Sequence, residues 1–287
     1  MKILITGSNG QLGNELHIVS SRYAHHTFLF TDIQELDITD RNAVHAYFLA
    51  EKPEVIINCA AYTAVDTAER EPGPAYLVNE TAVTNLAQLS REFNAIMIHI
   101  STDYIFDGRG FRPYTEDDPT NPVSVYAKSK LAGEEAMRKL AGRGVIFRTS
   151  WLYSEFGGNF LKTILKHARE KEMLNVVYDQ VGSPTYAYDL ANVILQLLPV
   201  LITTNHVAVY HYSNEGVASW YDFARAIIEI AGITCKINPI ETKDYPLPAS
   251  RPFYSVLNKA KFKADFTMEI PFWRDSLKVC IHQLIKQ

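Results

Sequence analysis

Near its N-terminus the chain reads Lys2-Ile3-Leu4-Ile5-Thr6-Gly7-Ser8-Asn9-Gly10-Gln11-Leu12-Gly13, and this run indicates the class of fold. Its first part is short, apolar and rich in branched side chains, which is typical of a strand buried on both faces. A glycine loop follows, and a helical pattern then runs from Gln11 to about Ser21. A strand, a glycine loop and a helix in this order can bind a dinucleotide, because the loop turns tightly and backbone N–H groups meet the pyrophosphate at the helix N-terminus.

The next acidic residue indicates which cofactor is preferred. The run Thr27–Thr31 predicts a second strand that ends at Asp32, and Gly13 precedes this acid by about 20 residues, the separation found for the acid that binds the adenosine ribose. A carboxylate there repels a 2′-phosphate, and no arginine directly follows Asp32. We therefore expect NADH to be preferred and NADPH to be the alternative. Asp37 and Ile38 follow where an adenine edge is expected.

Strands and helices continue to alternate through the first half of the chain. Predicted strands cover Glu54–Asn58, Ile96–Ser101 and Gly144–Arg148, and predicted helices cover Asp40–Glu51, Ala75–Phe93 and Ser124–Ala141. This alternation predicts an α/β fold with a Rossmann-type, doubly wound parallel sheet.

The second half is less regular and predicts a smaller C-terminal α/β substrate-binding cap. Predicted strands are Leu174–Tyr178 and Val207–Tyr212, a helix Trp273–Ile285 closes the chain, and Pro239–Arg251 is expected to be irregular. We divide the chain into an NAD(P)-binding domain at 1–150, to which later segments return, and residues 151–287, which are mainly cap.

Composition excludes several classes of protein. The net charge of −4 over 287 residues provides no general basic surface, so no nucleic-acid partner is expected. The cysteines are odd in number and far apart, which indicates reduced thiols. We find no apolar run long enough for a signal peptide or a membrane span, so no membrane partner is expected and the cytoplasm is the predicted location.

Tyr126 and Lys130 are the candidate proton donor and its cationic neighbour. Their spacing in Tyr126-Ala-Lys-Ser-Lys130 puts both on one face of a helix. A nearby ammonium favours a phenolate, so we expect Lys130 to lower the pKa of Tyr126 toward the range useful for a general acid. Ser101 and Thr102 end the predicted fourth strand, at the edge of the sheet where ligands bind.

Together these features resemble the extended short-chain dehydrogenase/reductases. Four longer stretches point to one branch, the dTDP-4-dehydrorhamnose reductase family. They are Thr6–Gly13, Ser101-Thr-Asp-Tyr-Ile-Phe-Asp-Gly108, Asp179-Gln-Val-Gly-Ser-Pro-Thr185 and Arg251-Pro-Phe-Tyr-Ser-Val-Leu257. The resemblance implies reduction of the C4 ketone of dTDP-4-dehydro-L-rhamnose to dTDP-L-rhamnose, with a nucleotide sugar as the substrate.

The resemblance also implies roles for individual residues. Tyr126 would protonate the forming alkoxide, Lys130 would hold the nicotinamide ribose, and Thr102 would bind the substrate oxygen. The implied cofactor-binding residues are Gly7, Asn9, Gly10, Gln11, Leu12, Gly13, Asp32, Asp37, Ile38, Ala60, Ala61, Tyr62, Tyr126 and Lys130. The implied substrate-binding residues are Val65, Asp66, Thr102, Asp103, Tyr104, Trp151, Asn159, Gln180 and Arg251.

Three alternatives remain open at the level of sequence. Related dehydratases carry Thr-Asp-Glu after the fourth strand, whereas this chain has Thr102-Asp103-Tyr104, which favours reduction over dehydration. An epimerase or a reductase of another keto-sugar shares the Tyr-x-x-x-Lys core. A non-catalytic regulatory subunit would keep the fold but would not need Thr102, Tyr126 and Lys130.

The resemblance also bears on whether the chain binds a metal and whether it forms a dimer. Some relatives dimerise through a metal held by carboxylates, and Glu15 is a candidate ligand. The C-terminal His282–Gln287 contains no acid that could complete such a site, so no metal is predicted. A homodimer is the candidate assembly.

Overall fold

The computed structural model describes residues 1–286, and strands and helices alternate along them. The strands are β1 Lys2–Thr6, β2 Thr27–Thr31, β3 Val55–Asn58, β4 Ile96–Thr102, β5 Gly144–Thr149, β6 Leu152–Tyr153, β7 Met173–Val177, β8 Val181–Gly182, β9 Thr185–Tyr186, β10 Val207–His211, β11 Ala218–Ser219 and β12 Lys236–Ile240. The α-helices are α1 Gln11–Ser20, α2 Arg41–Glu51, α3 Val65–Arg70, α4 Pro72–Tyr76, α5 Ala82–Glu92, α6 Val125–Leu140, α7 Phe160–Glu170, α8 Ala187–Leu201, α9 Trp220–Ile230, α10 Ala260–Phe266 and α11 Trp273–Lys286.

A parallel sheet of six strands, in the order β2-β1-β3-β4-β5-β10, forms the centre of the molecule. Helices α1 and α8 cover one face of the sheet, and α2, α5 and α6 cover the other. The strand order reverses between β1 and β3, and ligands of such sheets bind beyond the carboxyl ends of the strands at this point. The predicted Rossmann-type, doubly wound sheet is confirmed.

The second half of the chain contributes both to the central sheet with its helices and to a separate cap. Strand β10 pairs with β5 in parallel, and α8 packs against α1. The remaining elements form the cap, whose core joins α7, α9 and α11 with the parallel pair β7 and β12. Strand β12 was not predicted, because Pro239 lies within it and the adjoining segment is rich in proline.

The predicted helix Ala75–Phe93 is interrupted by a π-helical turn at Leu77–Thr81. The buried Asn79 explains the interruption. Its side chain accepts a hydrogen bond from the Tyr62 N–H at 2.9 Å and donates to the Ser129 hydroxyl at 2.9 Å. Gly133 on α6 packs so closely that a Cβ there would lie 2.0 Å from the Asn79 carbonyl oxygen. Turns of this kind occur frequently at functional sites.

Candidate active site

The loop between β1 and α1 has the backbone geometry that a dinucleotide needs. Gly7 has a φ of +66°, and a Cβ there would lie 2.6 Å from the backbone of Ala60. A Cβ at Gly13 would lie 2.5 Å from the Gly7 carbonyl oxygen, so glycine allows helix and loop to pack closely. No side chain caps the N-terminus of α1. Its first N–H groups are therefore free to bind phosphate, and the loop fits a pyrophosphate.

A cavity of about 310 Å³ lies beside this loop, at the ends of β1 and β2. Asp32 lines it, and its carboxylate accepts a hydrogen bond from the Asn9 N–H at 2.9 Å. Asp37 and Ile38 line the same cavity, as do Ala60 and Ala61. The residues predicted to meet the adenosine are thus brought together around one space.

A larger cavity of about 700 Å³ adjoins the first at the glycine loop and extends toward the cap. It lies beyond the carboxyl ends of β4 and β5, as expected for this class of sheet. The residues predicted from the sequence that line it are Gly7, Gly10, Gln11, Leu12, Ala61, Val65, Ser101, Thr102, Asp103, Tyr104, Tyr126, Lys130, Trp151, Asn159 and Arg251.

Helix α6 carries Tyr126 and Lys130 into this cavity. Ser124 caps the helix by accepting a hydrogen bond from the Ala127 N–H, which fixes where the helix begins. The Lys130 ammonium donates to the carbonyl oxygen of Ile100 at 2.7 Å, so the lysine is tied to β4. Burial lowers the pKa of Lys130 to about 8, and the negative charge of Glu134 opposes that change.

The predicted effect of Lys130 on Tyr126 is wrong for this structure. Burial of the phenol raises the pKa of Tyr126 to about 12, and the polar hydroxyl of Thr102 nearby only partly offsets the rise. The desolvation of a phenolate outweighs the attraction of an ammonium that is already engaged with Ile100. Tyr126 therefore holds its proton firmly until a stronger base, such as an alkoxide, forms beside it.

Thr102 and Asp103 form a hydrogen-bonded pair next to this tyrosine. The Thr102 hydroxyl lies 3.2 Å from a carboxyl oxygen of Asp103 and accepts from the Tyr104 N–H at 3.2 Å. Burial raises the pKa of Asp103 to about 7, and the hydrogen bond from the Thr102 hydroxyl offsets only part of the rise. Tyr104 occupies the place where the dehydratases carry glutamate, and its ring meets that of Tyr126 edge-on at 5.9 Å between centroids.

A buried ion pair supports the catalytic helix from beneath. Arg148 on β5 donates to Glu134 on α6 at 2.8 Å and 3.1 Å, and both side chains are almost completely buried. Glu134 lies one turn beyond Lys130 on the same face of the helix. The pair therefore anchors α6 to the sheet and places a negative charge near the lysine.

Aromatic side chains of the cap form the opposite wall of the cavity. Trp151 has a φ of +48°, a conformation rare for a bulky residue, and it stacks on Trp220 with 3.5 Å between ring centroids. Phe160 lies 4.6 Å from Trp220 and also lines the cavity. Sequence reasoning did not identify Phe160, Trp220 or Asn79, because nothing in their local patterns indicates that they meet at this place.

Some predicted site residues lie behind the cavity walls or away from them. The backbone N–H groups of Asn9 and Tyr62 donate to the side chains of Asp32 and Asn79. Gly13 lies in α1 and packs against the glycine loop, and Asp66 reaches the site only through an ion pair with Arg251. Gln180 is buried outside the cavity, where its amide donates to the Thr242 hydroxyl at 3.0 Å.

Carboxyl groups cluster elsewhere, beneath α1. Burial and the neighbouring Glu155 raise the pKa of Glu15 to about 9. Tyr186 donates a hydrogen bond of 2.5 Å to Glu155. Within residues 1–286, no group of three or more metal-binding side chains is close enough to hold an ion.

None of the helices in the described part of the chain is both long enough and apolar enough to cross a membrane.

The chain is similar to known proteins over nearly its whole length. The family model described as RmlD substrate binding domain matches residues 1–286. A dTDP-4-dehydrorhamnose reductase of Aggregatibacter actinomycetemcomitans is 41% identical over 286 residues, which cover 96% of this chain and 97% of the relative. The spore coat polysaccharide biosynthesis protein SpsK of Bacillus subtilis is 39% identical over 277 residues, with 96% and 95% covered.

Solved structures agree with the sequence comparisons. A dTDP-4-dehydrorhamnose reductase from Clostridium acetobutylicum has a TM-score of 0.94 and 42% identity, covering 99% of this chain and 100% of that one. The Bacillus anthracis enzyme of that name, in complex with NADP, has a TM-score of 0.93 and 36% identity, with 98% and 99% covered. Identity at this level over nearly the whole length shows that the chain belongs to the family of dTDP-4-dehydrorhamnose reductases.

Proposed function

We propose that this chain reduces the C4 ketone of dTDP-4-dehydro-L-rhamnose to dTDP-L-rhamnose by hydride transfer from a reduced nicotinamide cofactor. The observation that carries the proposal is the convergence of Thr102, Tyr126 and Lys130 on one cavity that adjoins a loop fit for pyrophosphate. The names of the relatives supply the identity of the sugar.

The roles of the protein groups follow from their positions. The nicotinamide, when bound, supplies the hydride. Tyr126 donates its phenolic proton to the ketone oxygen as negative charge develops there, and the Thr102 hydroxyl donates a second hydrogen bond to the same oxygen. The Lys130 ammonium lies one helical turn away and stabilises the phenolate that remains. A phenol with its pKa raised by burial suits this direction, because it releases a proton only to a stronger base.

Reduction is favoured over dehydration by the residue after Asp103. Elimination of water needs an acid and a base beside the sugar, whereas Tyr104 fills the second position with a phenol whose pKa is raised by burial. Buried phenols of this kind do not act as bases near neutral pH.

The test of this proposal compares two substrates. We expect the purified protein to oxidise reduced nicotinamide when dTDP-4-dehydro-L-rhamnose is supplied, and to leave dTDP-glucose unchanged. Elimination of water from dTDP-glucose, or no oxidation of either NADH or NADPH, would count against the proposal.

We further infer that NADH is preferred over NADPH. Support comes from Asp32, which lines the cavity at the end of β2. The Asp32→Ala variant should increase the rate with NADPH relative to NADH, because the carboxylate that repels the 2′-phosphate is gone. An unchanged ratio of kcat/KM for the two cofactors would mean that Asp32 does not face the ribose.

We also propose a homodimer in the cytoplasm. Free thiols at Cys59, Cys235 and Cys280 agree with a reducing compartment. Sedimentation velocity over a range of protein concentrations tests the assembly.

A further inference from the structure

An ion pair at the edge of the main cavity joins the two halves of the chain. Asp66, in the first turn of α3, faces Arg251, which lies between β12 and α10. The Arg251 Nη1 donates to Asp66 Oδ1 at 2.9 Å, and Nη2 donates to Oδ2 at 2.7 Å. The Ala249 N–H also donates to Asp66 Oδ1, at 3.1 Å. The carboxylate therefore holds both the guanidinium and the backbone of the segment that carries it.

The pattern of these bonds determines which edge of the guanidinium is left for a ligand. An arginine has five N–H groups in a planar fork. The two Nη atoms use their end-on edge for Asp66, and the outer N–H of Nη1 donates to the Ala249 carbonyl oxygen at 2.9 Å. The Nε–H and the remaining Nη2–H lie together on the side-on edge. In the described part of the chain, neither of these two N–H groups donates a hydrogen bond.

Those remaining donors match a phosphate. Two parallel N–H groups on one edge bind two oxygens of a phosphate or carboxylate in a bidentate manner. Arg251 lines the main cavity together with Val65 and Tyr104, and its side chain is 19% exposed. The hydrogen bond from Arg251 lowers the pKa of Asp66 below its ordinary value, so the carboxylate stays charged near neutral pH.

We infer that Asp66 is the positioning residue for Arg251, holding the end-on edge of the guanidinium so that the side-on edge faces the diphosphate of the substrate. This inference rests on the proposed function for its substrate class, a nucleoside diphosphate sugar. Asp66 acts through Arg251 and does not contact the reacting ketone. Its effect therefore falls on binding of the diphosphate and on KM rather than on the proton transfer.

The experiment measures binding of dTDP, UDP and thymidine by calorimetry to the full-length protein and to Asp66→Asn. Asp66→Asn removes the negative charge that holds the Arg251 guanidinium in place. Binding of both diphosphates should therefore weaken about ten- to hundredfold, the range expected for charge-assisted hydrogen bonds. Thymidine has no phosphate, so its affinity should not change. Turnover by the variant should show a raised KM with kcat nearly unchanged.

Two further variants distinguish orientation of the Arg251 guanidinium from a purely structural role of the ion pair. Arg251→Lys keeps a positive charge but lacks the side-on fork, and it should lose diphosphate affinity by a similar factor. Asp118→Asn is the matched control, because it breaks a comparable bidentate pair with Arg112, at 2.8 Å and 2.9 Å, away from the cavity. We expect diphosphate binding by this control to equal that of the wild type.

Several outcomes overturn the inference. If Asp66→Asn binds diphosphates as tightly as the wild type or more tightly, then Asp66 competes with phosphate for Arg251. If Asp66→Asn loses affinity for thymidine as much as for the diphosphates, then Asp66 only stabilises the packing of the two halves of the chain. A wild-type protein that binds neither diphosphate also contradicts it. A wild type that binds UDP in an Asp66-dependent way but does not reduce the dTDP sugar contradicts the proposed function and leaves this inference standing.

Discussion

Tyr126 is a side chain at which burial and a neighbouring charge act in opposite directions. Spacing on the helix correctly places Tyr126 and Lys130 at the same cavity. It does not reveal how deeply the phenol is enclosed, nor that Lys130 is bonded to the Ile100 carbonyl. Desolvation is a tertiary property, so the direction of the pKa change could not be read from the motif.

The first prediction concerns this phenol. Tyr126→Phe should keep its affinity for NADH but lose about 10²–10⁴-fold in kcat, because a general acid contributes that much. Steady-state kinetics and fluorescence titration with NADH check both parts. Tyr178→Phe, at an exposed phenol, serves as the control and should be unchanged. Full turnover by Tyr126→Phe would remove this residue from the mechanism.

The second prediction concerns Asp103, which is buried without a cation bonded to it in the described part of the chain. Its pKa rises from 3.8 to about 7 on burial, so the folded protein keeps a proton that the unfolded chain releases between these values. This contribution to stability is complete below the lower pKa and is lost as pH rises through the upper one.

Asp103→Asn cannot titrate, so the stability difference between wild type and variant should move in favour of the variant between about pH 4 and about pH 7. Denaturant unfolding at each pH measures the difference. Asp117→Asn, at an exposed carboxylate, should show no such drift. A difference for Asp103→Asn that does not vary with pH would mean that Asp103 is ionised throughout.

At the scale of single elements, helix α6 depends on a residue that carries out no chemistry. Glu134 meets Arg148 in a pair shielded from water on both sides. Sequence reasoning identified the helix and its catalytic face but not this support, because the partner lies on a strand and no local pattern links the two. The cap strands β6, β8, β9 and β11 were also missed, since each covers only two residues.

The third prediction follows from this ion pair. Glu134→Gln leaves the Arg148 charge buried without its partner and should lower the free energy of unfolding by about 3–5 kcal/mol. The adjacent Glu135 is exposed, so Glu135→Gln should change stability by less than about 0.5 kcal/mol. Urea unfolding of the two variants gives the comparison, and equal losses would contradict a special role for the buried pair.

At the scale of the whole molecule, the order of the strands was predictable as far as β5, whereas the short helix α3 before α4 was missed. Alternating apolar runs and glycine or proline breaks predict a parallel sheet by short-range rules. The return of β10 and α8 to that sheet depends on long-range packing, in which Leu190 and Ile194 of α8 share one hydrophobic core with Leu16 of α1. The cavity between sheet and cap was predictable only in part, since it needs the cap's aromatic wall as well as the ends of the strands.

Transfer of deuterium from the cofactor to the sugar tests whether this chain reduces the C4 ketone. NADH carrying deuterium on the transferable position of its nicotinamide is incubated with the protein and dTDP-4-dehydro-L-rhamnose, and the sugar product is examined by mass spectrometry and NMR. We predict dTDP-L-rhamnose with deuterium at C4, formed by the wild type and almost absent with Tyr126→Phe. A product without deuterium at C4, or no product with either NADH or NADPH, would contradict the assignment of this chain as a ketone reductase.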